Sequence, residues 1–530
     1  VNRRLVERTA AGPSVRGARW VYGREHVALV SAEESARLDR VAREEWGVPE
    51  RVLMENAGRA AALVISRLFG RGRVVAAVGG GNNGGDALVA LRALATWGRE
   101  VAYVAASERE PDAALLHGHG LKRLSGDPAV AFAEADVIVD GILGTGASGA
   151  PRARAAAVIE AMNGSGRPIV ALDLPSGVDG TTGAVPGAAV NAVVTVTFGW
   201  PKRGLLLNPG RQHCGRIVAV EIGFPPPAGP SGAELITPAW CAARLRPRGP
   251  AAHKGSVGRV LVLAGSRGMA GAAVLSARSA QRAGAGLVRV ASDEANRHIL
   301  QTAVPEAVFV DRTDGAALAE AVVGVEAVVA GPGLGKDASA RSALEAVLEA
   351  GAGLPTLLDA DALTLLAREP GRLSELAAGR PVVLTPHPGE MSRLTGKAPG
   401  EIVAAPLEVA RELAEETGCV VLLKGSPSVV AAPGEPVLVN TVGSSDLATA
   451  GMGDQLASAI GAMLAAGSPA REAAALGLFY SGRASELASR GRSLSPLDVA
   501  EHLARAFADP GPQSSPLGLP FVIFDQPPRW

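Results

Sequence analysis

The sequence predicts an α/β protein made of two units, each a mostly parallel sheet with helices on both faces. Three observations predict it. Apolar runs of strand length alternate with helical segments in two separate series, and strands that lack polar alternation are those buried on both faces. A breaker cluster, PPPAGPSG at 225–232, divides the two series. Glycine-rich turns follow several of the runs, and open α/β sheets bind ligands beyond the carboxyl ends of their strands.

The bulk properties agree with two cores. A length of 530 residues exceeds what one core usually serves. Hydrophobic residues make up 47% and charged residues 20%, which excludes a disordered chain. Lysine plus arginine balances aspartate plus glutamate at 52 each, so charge gives no case for nucleic acid or an anionic membrane. The three cysteines have neither disulfide-framework nor zinc spacing, and they fit a reducing cytoplasm. No stretch is long and apolar enough to span a bilayer, and no apolar h-region follows Arg3 and Arg4.

The elements follow in order. Residues 1–27 read as a weakly ordered leader and 28–225 as the first domain. Ser31 with Glu34 three residues on is a capping-box start, and Gly47 and Pro49 stop that helix. A second helix runs from Arg51 to Leu68. Strands are expected at 73–79, 101–106, 193–199 and 215–223, strands entering glycine loops within 135–146 and 167–177, and a helix from Asp86 to Gly98. Residues 226–245 read as a linker and 246–507 as a second α/β domain. From 508 a Pro-rich tail either lies on the surface or augments a neighbouring sheet.

Two glycine loops end in an aspartate: GGGNNGGD (79–86) and AGMGD (450–454). Glycine lets backbone N–H groups turn to a phosphate, and a helix start adds partial positive charge. A carboxylate there would repel a phosphate, so it points to chemistry or a metal beside a bound nucleotide. In the second loop Gly451 and Gly453 permit an anion hole, and Asp454 can accept a proton from a hydroxyl beside it; an aspartate there also serves as an N-cap. Lys254 in HKGSVG and Lys424 at a strand end can pair with phosphate, and both residue types also occur as solvated lysines. GPGLG at 331–335 brings Gly333 close to a ligand or makes a tight turn. TPHPGE presents His387 and Glu390 on a rigid loop, His387 as a donor to phosphate or hydroxyl or as a brace.

HKGSVGRVLVLAGS, GPGLG, LLDADAL, LTPHPGEMSRL, LLKGSP and LATAGMGD, in this order, resemble the ADP/ATP-dependent NAD(P)HX dehydratases, a branch of the ribokinase-like fold. The resemblance implies a three-layer ribokinase-like domain that removes water from hydrated NADH or NADPH and consumes ADP or ATP with Mg2+. It implies that Asp454 is the acid/base residue, that Gly333 and His387 contact substrate, and that Lys254, Lys424, Gly451 and Gly453 contact nucleotide. Met452 stands where Thr or Ser is commoner, and Gln455 where Val is.

In the first half, Asn82, Asn83 and Asp86 share one loop, while Asp140, Asp173 and Ser176 follow other strand ends. These hard oxygen ligands suit an alkali or alkaline-earth cation, and turn capping is the alternative for each aspartate alone. LMENAG, GGGNNGGD, VDGILGTG, LDLPSGVDGTTG and TFGWPKRGLLLNPG resemble the NAD(P)HX epimerase domain. That resemblance implies a Rossmann-like three-layer domain in which Asn83, Asp140 and Ser176 hold K+. It implies that Asn82, Asn83, Gly84, Gly85, Asp86, Gly144, Thr145 and Gly146 bind the hydrated cofactor. Asp173 is then the proton-handling carboxylate. Ala87 replaces a common glycine, and Trp200 is unusual.

Together the resemblances span about 30–225 and 245–505 and imply one chain that epimerises R and S NADHX and NADPHX and dehydrates the S form. They also imply a homo-oligomer. The competing expectation is a ribokinase-like vitamin-precursor or sugar kinase fused to a nucleotide-binding module.

Overall fold

The computed structural model describes residues 25–109, 112–116, 118–227, 232–367, 369, 371–511 and 521–524; most of the expected leader and tail lies outside them. Residues ahead of the breaker cluster form β1 (Val27–Leu29), β2 (Val74–Val78), β3 (Val101–Ala105), β4 (Lys122–Arg123), β5 (Val137–Gly141), β6 (Ile169–Leu172), β7 (Val194–Phe198) and β8 (Arg216–Val220). After it come β9 (Ala233–Leu235), β10 (Arg259–Leu263), β11 (Leu287–Ser292), β12 (Val308–Asp311), β13 (Ala327–Ala330) and β14 (Thr356–Leu358). The last are β15 (Val382–Leu384), β16 (Val420–Leu423), β17 (Ser428–Ala431), β18 (Val437–Asn440) and β19 (Phe521–Phe524).

The first sheet has the order β19-β8-β7-β6-β5-β2-β3-β4, with β4 to β8 parallel and β19 antiparallel at one edge. The second has the order β1-β9-β18-β17-β16-β15-β14-β13-β10-β11-β12. Its stretch from β12 to β16 is parallel, and β17 turns back from β16 as an antiparallel hairpin. Helices cover both faces of each sheet, a Rossmann-like unit followed by a ribokinase-like one. In both, chain order reverses in mid-sheet, at β2/β5 and at β10/β13, which opens a crevice at the carboxyl ends.

The local signals act as the sequence predicts at the first helix, Ala32–Glu44. Ser31 Oγ accepts from Glu34 N at 3.0 Å and Glu34 Oε2 accepts from Ser31 N at 2.6 Å, a reciprocal box. Elsewhere tertiary packing changes the outcome. The helix expected from Asp86 starts at Asn82, so Asn82, Asn83, Gly84 and Gly85 form its first turn rather than a loop. Gly84 makes this possible, because a side chain there would strike the Gly79 carbonyl. The expected linker contains β9 and the helix Pro238–Arg244, capped by Thr237. A three-residue strand holds there because β18 and β1 flank it on both sides.

The chain ends cross over. β1, from the N-terminal side, edges the second sheet; β19, from the C-terminal side, edges the first. Val30, directly after β1, then pairs with the first unit: its N–H donates to Pro201 O and its carbonyl accepts from Arg203 N, both at 3.0 Å. One buried apolar cluster runs from Leu205, Leu206, Leu207 and Ile217 through Val27 and Leu29 to Leu423, Val429 and Val437. The two units therefore share a core. Leu29→Ala should cost about 2–5 kcal/mol and lower the denaturation of both units together, read by chemical denaturation with a probe in each half; loss confined to one half would contradict a shared core.

Candidate active sites

In the first unit the crevice is lined from four strand ends. Asp140 lies at the end of β5, fully buried. Its Oδ1 accepts from Ser176 Oγ at 2.6 Å and from Ile142 N at 3.2 Å; its Oδ2 accepts from Ser176 N at 2.8 Å. Burial pushes its carboxyl up to about 6, and these hydrogen bonds hold it from rising further. Asn83 follows β2. Its Nδ2 donates to Leu143 O at 2.8 Å and Leu172 O at 3.1 Å, while its Oδ1 is buried without a hydrogen-bond partner among the described residues.

Asp173 follows β6 with φ of 63°, a left-handed conformation rare for a non-glycine residue. Thr145 N donates to its Oδ2 at 3.2 Å, and Gly144 is so close that an added Cβ would lie 3.2 Å from the same oxygen. Lys202 completes the group. Its Nζ lies 2.5 Å from Asp173 Oδ1 and donates to Phe198 O at 2.6 Å, and its side chain is 1% exposed. Asp86, buried next to this pair, has its carboxyl raised well above the ordinary range by burial and then by Asp173, with Lys202 opposing. The structure thus gathers Asn83, Asp86, Asp140, Gly144, Thr145, Asp173 and Ser176. Asn82 turns to the rim, donating to Glu50 Oε1 at 2.9 Å, and Gly146 is exposed there. Gly85 abuts Met54 and lets the two helices close.

Two unusual residues have structural roles. Ala87 is fully buried, and its methyl fills the space that a side chain at Gly141 would need. Trp200 is buried with its Nε1 donating to Pro225 O at 2.9 Å, which fixes the turn carrying Lys202.

In the second unit the crevice is built on Asp359, directly after β14 and 1% exposed. Its Oδ1 accepts from Thr385 Oγ1 and from Lys424 Nζ, each at 2.8 Å. Lys424, after β16, also lies 3.8 Å from Glu390. Burial would depress its ammonium, but Asp359, Glu390 and Asp454 outweigh that and raise it. The helix Met452–Ala465 points its N-terminus at this pair. Gly451 caps it with φ of 85°, and a Cβ on Gly453 would lie 3.4 Å from Lys424 Nζ. Gly453 N and Asp454 N donate to nothing among the described residues, as an anion hole requires. Asp454 is the third residue of the helix, not its cap, and it accepts no hydrogen bond among the described residues. Burial, then repulsion from Asp359, pushes its carboxyl up to about 7, with Lys424 opposing.

GPGLG closes one side. Gly331, Gly333 and Gly335 all have positive φ, Gly335 N donates to Asp361 Oδ2 at 2.8 Å, and a side chain at Gly331 would strike the Asp359 carbonyl. His387 caps the helix Pro388–Thr395, its Nδ1 accepting from Gly389 N at 3.0 Å, and its half-exposed ring sets Nε2 3.4 Å from Glu390 Oε1. Lys254 stands apart. It is exposed, precedes β10 and packs its carbonyl on Gly286 ahead of β11, at the amino edge of a sheet whose site lies at the carboxyl edge. Sequence reasoning missed Lys202, Asp359 and Asp361; the available signal was a lysine four residues past an apolar strand and the two acids of LLDAD.

Two α/β units with separate crevices, one holding a buried Lys–Asp pair and the other an anion hole beside a poised carboxylate, define a two-site enzyme of Rossmann-like and ribokinase-like parts. A family profile described as NAD(P)H-hydrate dehydratase matches residues 260–506, and one described as YjeF-related protein N-terminus matches 50–204. The bifunctional NAD(P)H-hydrate repair enzyme of Moorella thermoacetica is 37% identical over 88% of this chain and 93% of its own length. That of Mycobacterium leprae is 39% identical over 88% and 92%. The Bacillus subtilis ADP/ATP-dependent NAD(P)H-hydrate dehydratase structure, co-crystallised with ATP/Mg2+, covers 51% of this chain and 96% of its own at 32% identity and a TM-score of 0.46. The chain belongs to the bifunctional NAD(P)H-hydrate repair enzyme family, an isomerase and a lyase on one polypeptide. It repairs hydrated NAD(P)H by epimerisation and ADP-dependent dehydration, and the expectation of a vitamin-precursor or sugar kinase fused to a nucleotide-binding module falls with that membership.

Lys202→Met leaves Asp173 buried and unpaired, so it should cost about 3–5 kcal/mol and abolish epimerisation. The same variant should still dehydrate S-NADHX; retained epimerase activity, read by chromatography of the R and S forms, would refute the role of the pair.

Proposed function

We propose that Asp454 is the general base of the dehydratase and Asp173, set by Lys202, the proton carrier of the epimerase. The carrying observation is the second crevice: an unbonded carboxylate whose own N–H and that of the preceding Gly453 are both free among the described residues, with Lys424 opposite. Asp454 takes the proton of the C6 hydroxyl of the hydrate, whose oxygen attacks the terminal phosphorus of ADP. The bond to the α–β bridging oxygen breaks and AMP leaves. The helix N-terminus and Lys424 stabilise the charge of the transferring group. Phosphate then leaves C6 with the push of the ring nitrogen, and loss of a C5 proton restores the dihydronicotinamide. Gly333 and His387, whose Nε2 lies 3.4 Å from Glu390 Oε1, are assigned to substrate contact on the family resemblance.

Three carboxylates, Asp359, Glu390 and Asp454, act on Lys424, and a fourth, Asp361, adds to the repulsion on Asp454 while lying 3.5 Å from Lys336. A diphosphate entering that field needs a counter-cation, and Asp359 Oδ2, which accepts no hydrogen bond among the described residues, fits Mg2+ bound with the nucleotide. In the first crevice the orphaned Asn83 Oδ1 beside Asp140 and Ser176 fits K+. Bound there, K+ would offset the buried carboxylates around the hydrate. The C6 carbon bears both a hydroxyl and the ring nitrogen; breaking either bond flattens it, and closure from the other face inverts it. Asp173 moves the proton that the break requires, with Thr145 N donating to its Oδ2 at 3.2 Å.

A base whose pKa stands at about 7 gives kcat/KM for dehydration that rises tenfold per pH unit below that value and levels above it. Asp454→Asn should lower the rate about 10²–10⁴-fold and remove this limb. The stability sign is opposite. A carboxyl raised from 3.8 to about 7 stabilises the fold at low pH and loses that contribution as pH rises through 7. Asp454→Asn should therefore melt like the parent at pH 4 and higher than it at pH 8 without nucleotide, and a parallel pair of curves would contradict the raised carboxyl.

For the cation, KCl should raise the melting temperature and the epimerase rate above equal LiCl, and Asn83→Leu should remove both differences. Identical responses to the two salts in the parent protein would sink the K+ assignment.

A further inference from the structure

The turn Lys424–Ser428 carries the lysine of the nucleotide crevice between β16 and β17. On its inner side Lys424 N donates to Pro386 O at 2.8 Å. Within the turn Gly425 N donates to Ser428 Oγ at 3.1 Å, and that hydroxyl donates back to Gly425 O at 3.0 Å. The tip, Gly425 and Ser426, is exposed, and glycine there gives it freedom that ligand binding must remove. The tip is tied from the other unit. Asn208 Nδ2 donates to Ser426 O at 2.7 Å across 218 positions of sequence.

Asn208 is itself firmly held. It ends the segment that starts at Lys202 and passes through Leu205, Leu206 and Leu207, all buried in the shared core. Separately from this segment's packing, Arg203 lies 3.6 Å from Glu408 on the helix Pro406–Thr417, a second tie between the units that does not involve Asn208. A rigid part of the epimerase unit thus reaches a soft part of the dehydratase unit, two residues from Lys424.

We infer that Asn208 is a positioning residue for the dehydratase: it pre-orders the Lys424–Ser428 turn for the nucleotide phosphates, so the epimerase unit completes the nucleotide site of its neighbour. This rests on the reading of Lys424 as a nucleotide contact. Asn208 touches neither substrate nor nucleotide, so its effect falls on binding and leaves the chemical step intact.

The test uses the full-length protein with S-NADHX and varied ADP. Asn208→Ala removes the donor, and Asn208→Asp sets a carboxylate against the Ser426 carbonyl. Each should raise KM for ADP about 3- to 10-fold, the net worth of one ordering hydrogen bond, with the Asp variant at least as affected. kcat and the epimerase rate should stay within about twofold, inside the spread of a neutral surface change. Arg203→Ala, which breaks the neighbouring ion pair and leaves the turn alone, is the control and should leave KM for ADP unchanged. Parent-like KM in both Asn208 variants overturns the inference. So does a rise in KM that Arg203→Ala reproduces with an equal fall in melting temperature, since general docking then suffices. If the parent itself shows no dependence on ADP, the nucleotide reading fails and the inference fails with it; ADP dependence with unaffected Asn208 variants overturns the inference alone.

Discussion

The pairing of Val30 with residues 201–203 is the constraint on which the two-unit architecture turns. The strand before it edges the second sheet, and the segment it grips carries the lysine of the first crevice. A lysine buried to 1% exposure costs several kcal/mol in lost hydration, which Asp173 Oδ1, Phe198 O and Thr197 Oγ1 offset only where they meet it without adjustment. The Val30 pairing fixes the backbone on both sides of Lys202, and the indole of Trp200 fixes the turn before it. Asp173, held at positive φ, waits opposite. Strain, burial and pairing are thus borne by a frame to which both units contribute. The crossed terminal strands serve the same frame, because each covers a sheet edge that would otherwise present unpaired backbone.

The two crevices use one architectural rule for opposite electrostatic ends. Both open where chain order reverses in a parallel sheet. The first balances Asp173 with Lys202 and keeps Asp86 and Asp140 raised by burial, which suits a small proton inventory around an uncharged ring carbon. The second concentrates carboxylates around Lys424 and offers free N–H groups beside them. Negative charge next to an anion hole is unfavourable in the empty site and favourable once a cation accompanies the phosphates. It also holds Asp454 near neutral pH, where a base both takes and yields a proton readily.

Much of this was legible in the sequence because the signals are local. Ser31 and Glu34 sit three apart, the glycine turns follow apolar strands, and Asp454 stands in its own motif. Lys202 was not legible from spacing, since its partner Asp173 lies 29 positions away and only sheet pairing brings them together. Asp359 hid for the same reason, its partners Thr385 and Lys424 being 26 and 65 positions distant. The start of the helix at Asn82 ran against propensity: two glycines disfavour a helix, and the close approaches of Gly84 to the Gly79 carbonyl and of Gly85 to Met54 make them necessary. Lys254 shows the reverse failure. The family resemblance implies a nucleotide contact for it, but a residue preceding a parallel strand lies at the edge of the sheet away from the crevice, which fits the alternative of a solvated lysine.

The departures around Asp454 are explained by which way each side chain faces. Met452 is 8% exposed and packs in the apolar cluster with Ala457 and Ile460, behind the helix rather than in front of it. A hydroxyl at this position would have to leave that packing to reach a phosphate. Gln455, 1% exposed, donates from Nε2 to Ser481 Oγ at 3.2 Å and ties the helix to its neighbour Ala470–Ala488. Both changes therefore act on how firmly the helix is seated. The anion hole we propose is made of backbone, the N–H groups of Gly453 and Asp454, and backbone donors persist through any substitution that keeps the helix in place. The parts that cannot vary are the two glycines: Gly451 for its φ of 85°, and Gly453 for the space that a side chain would take beside Lys424 and Asp359.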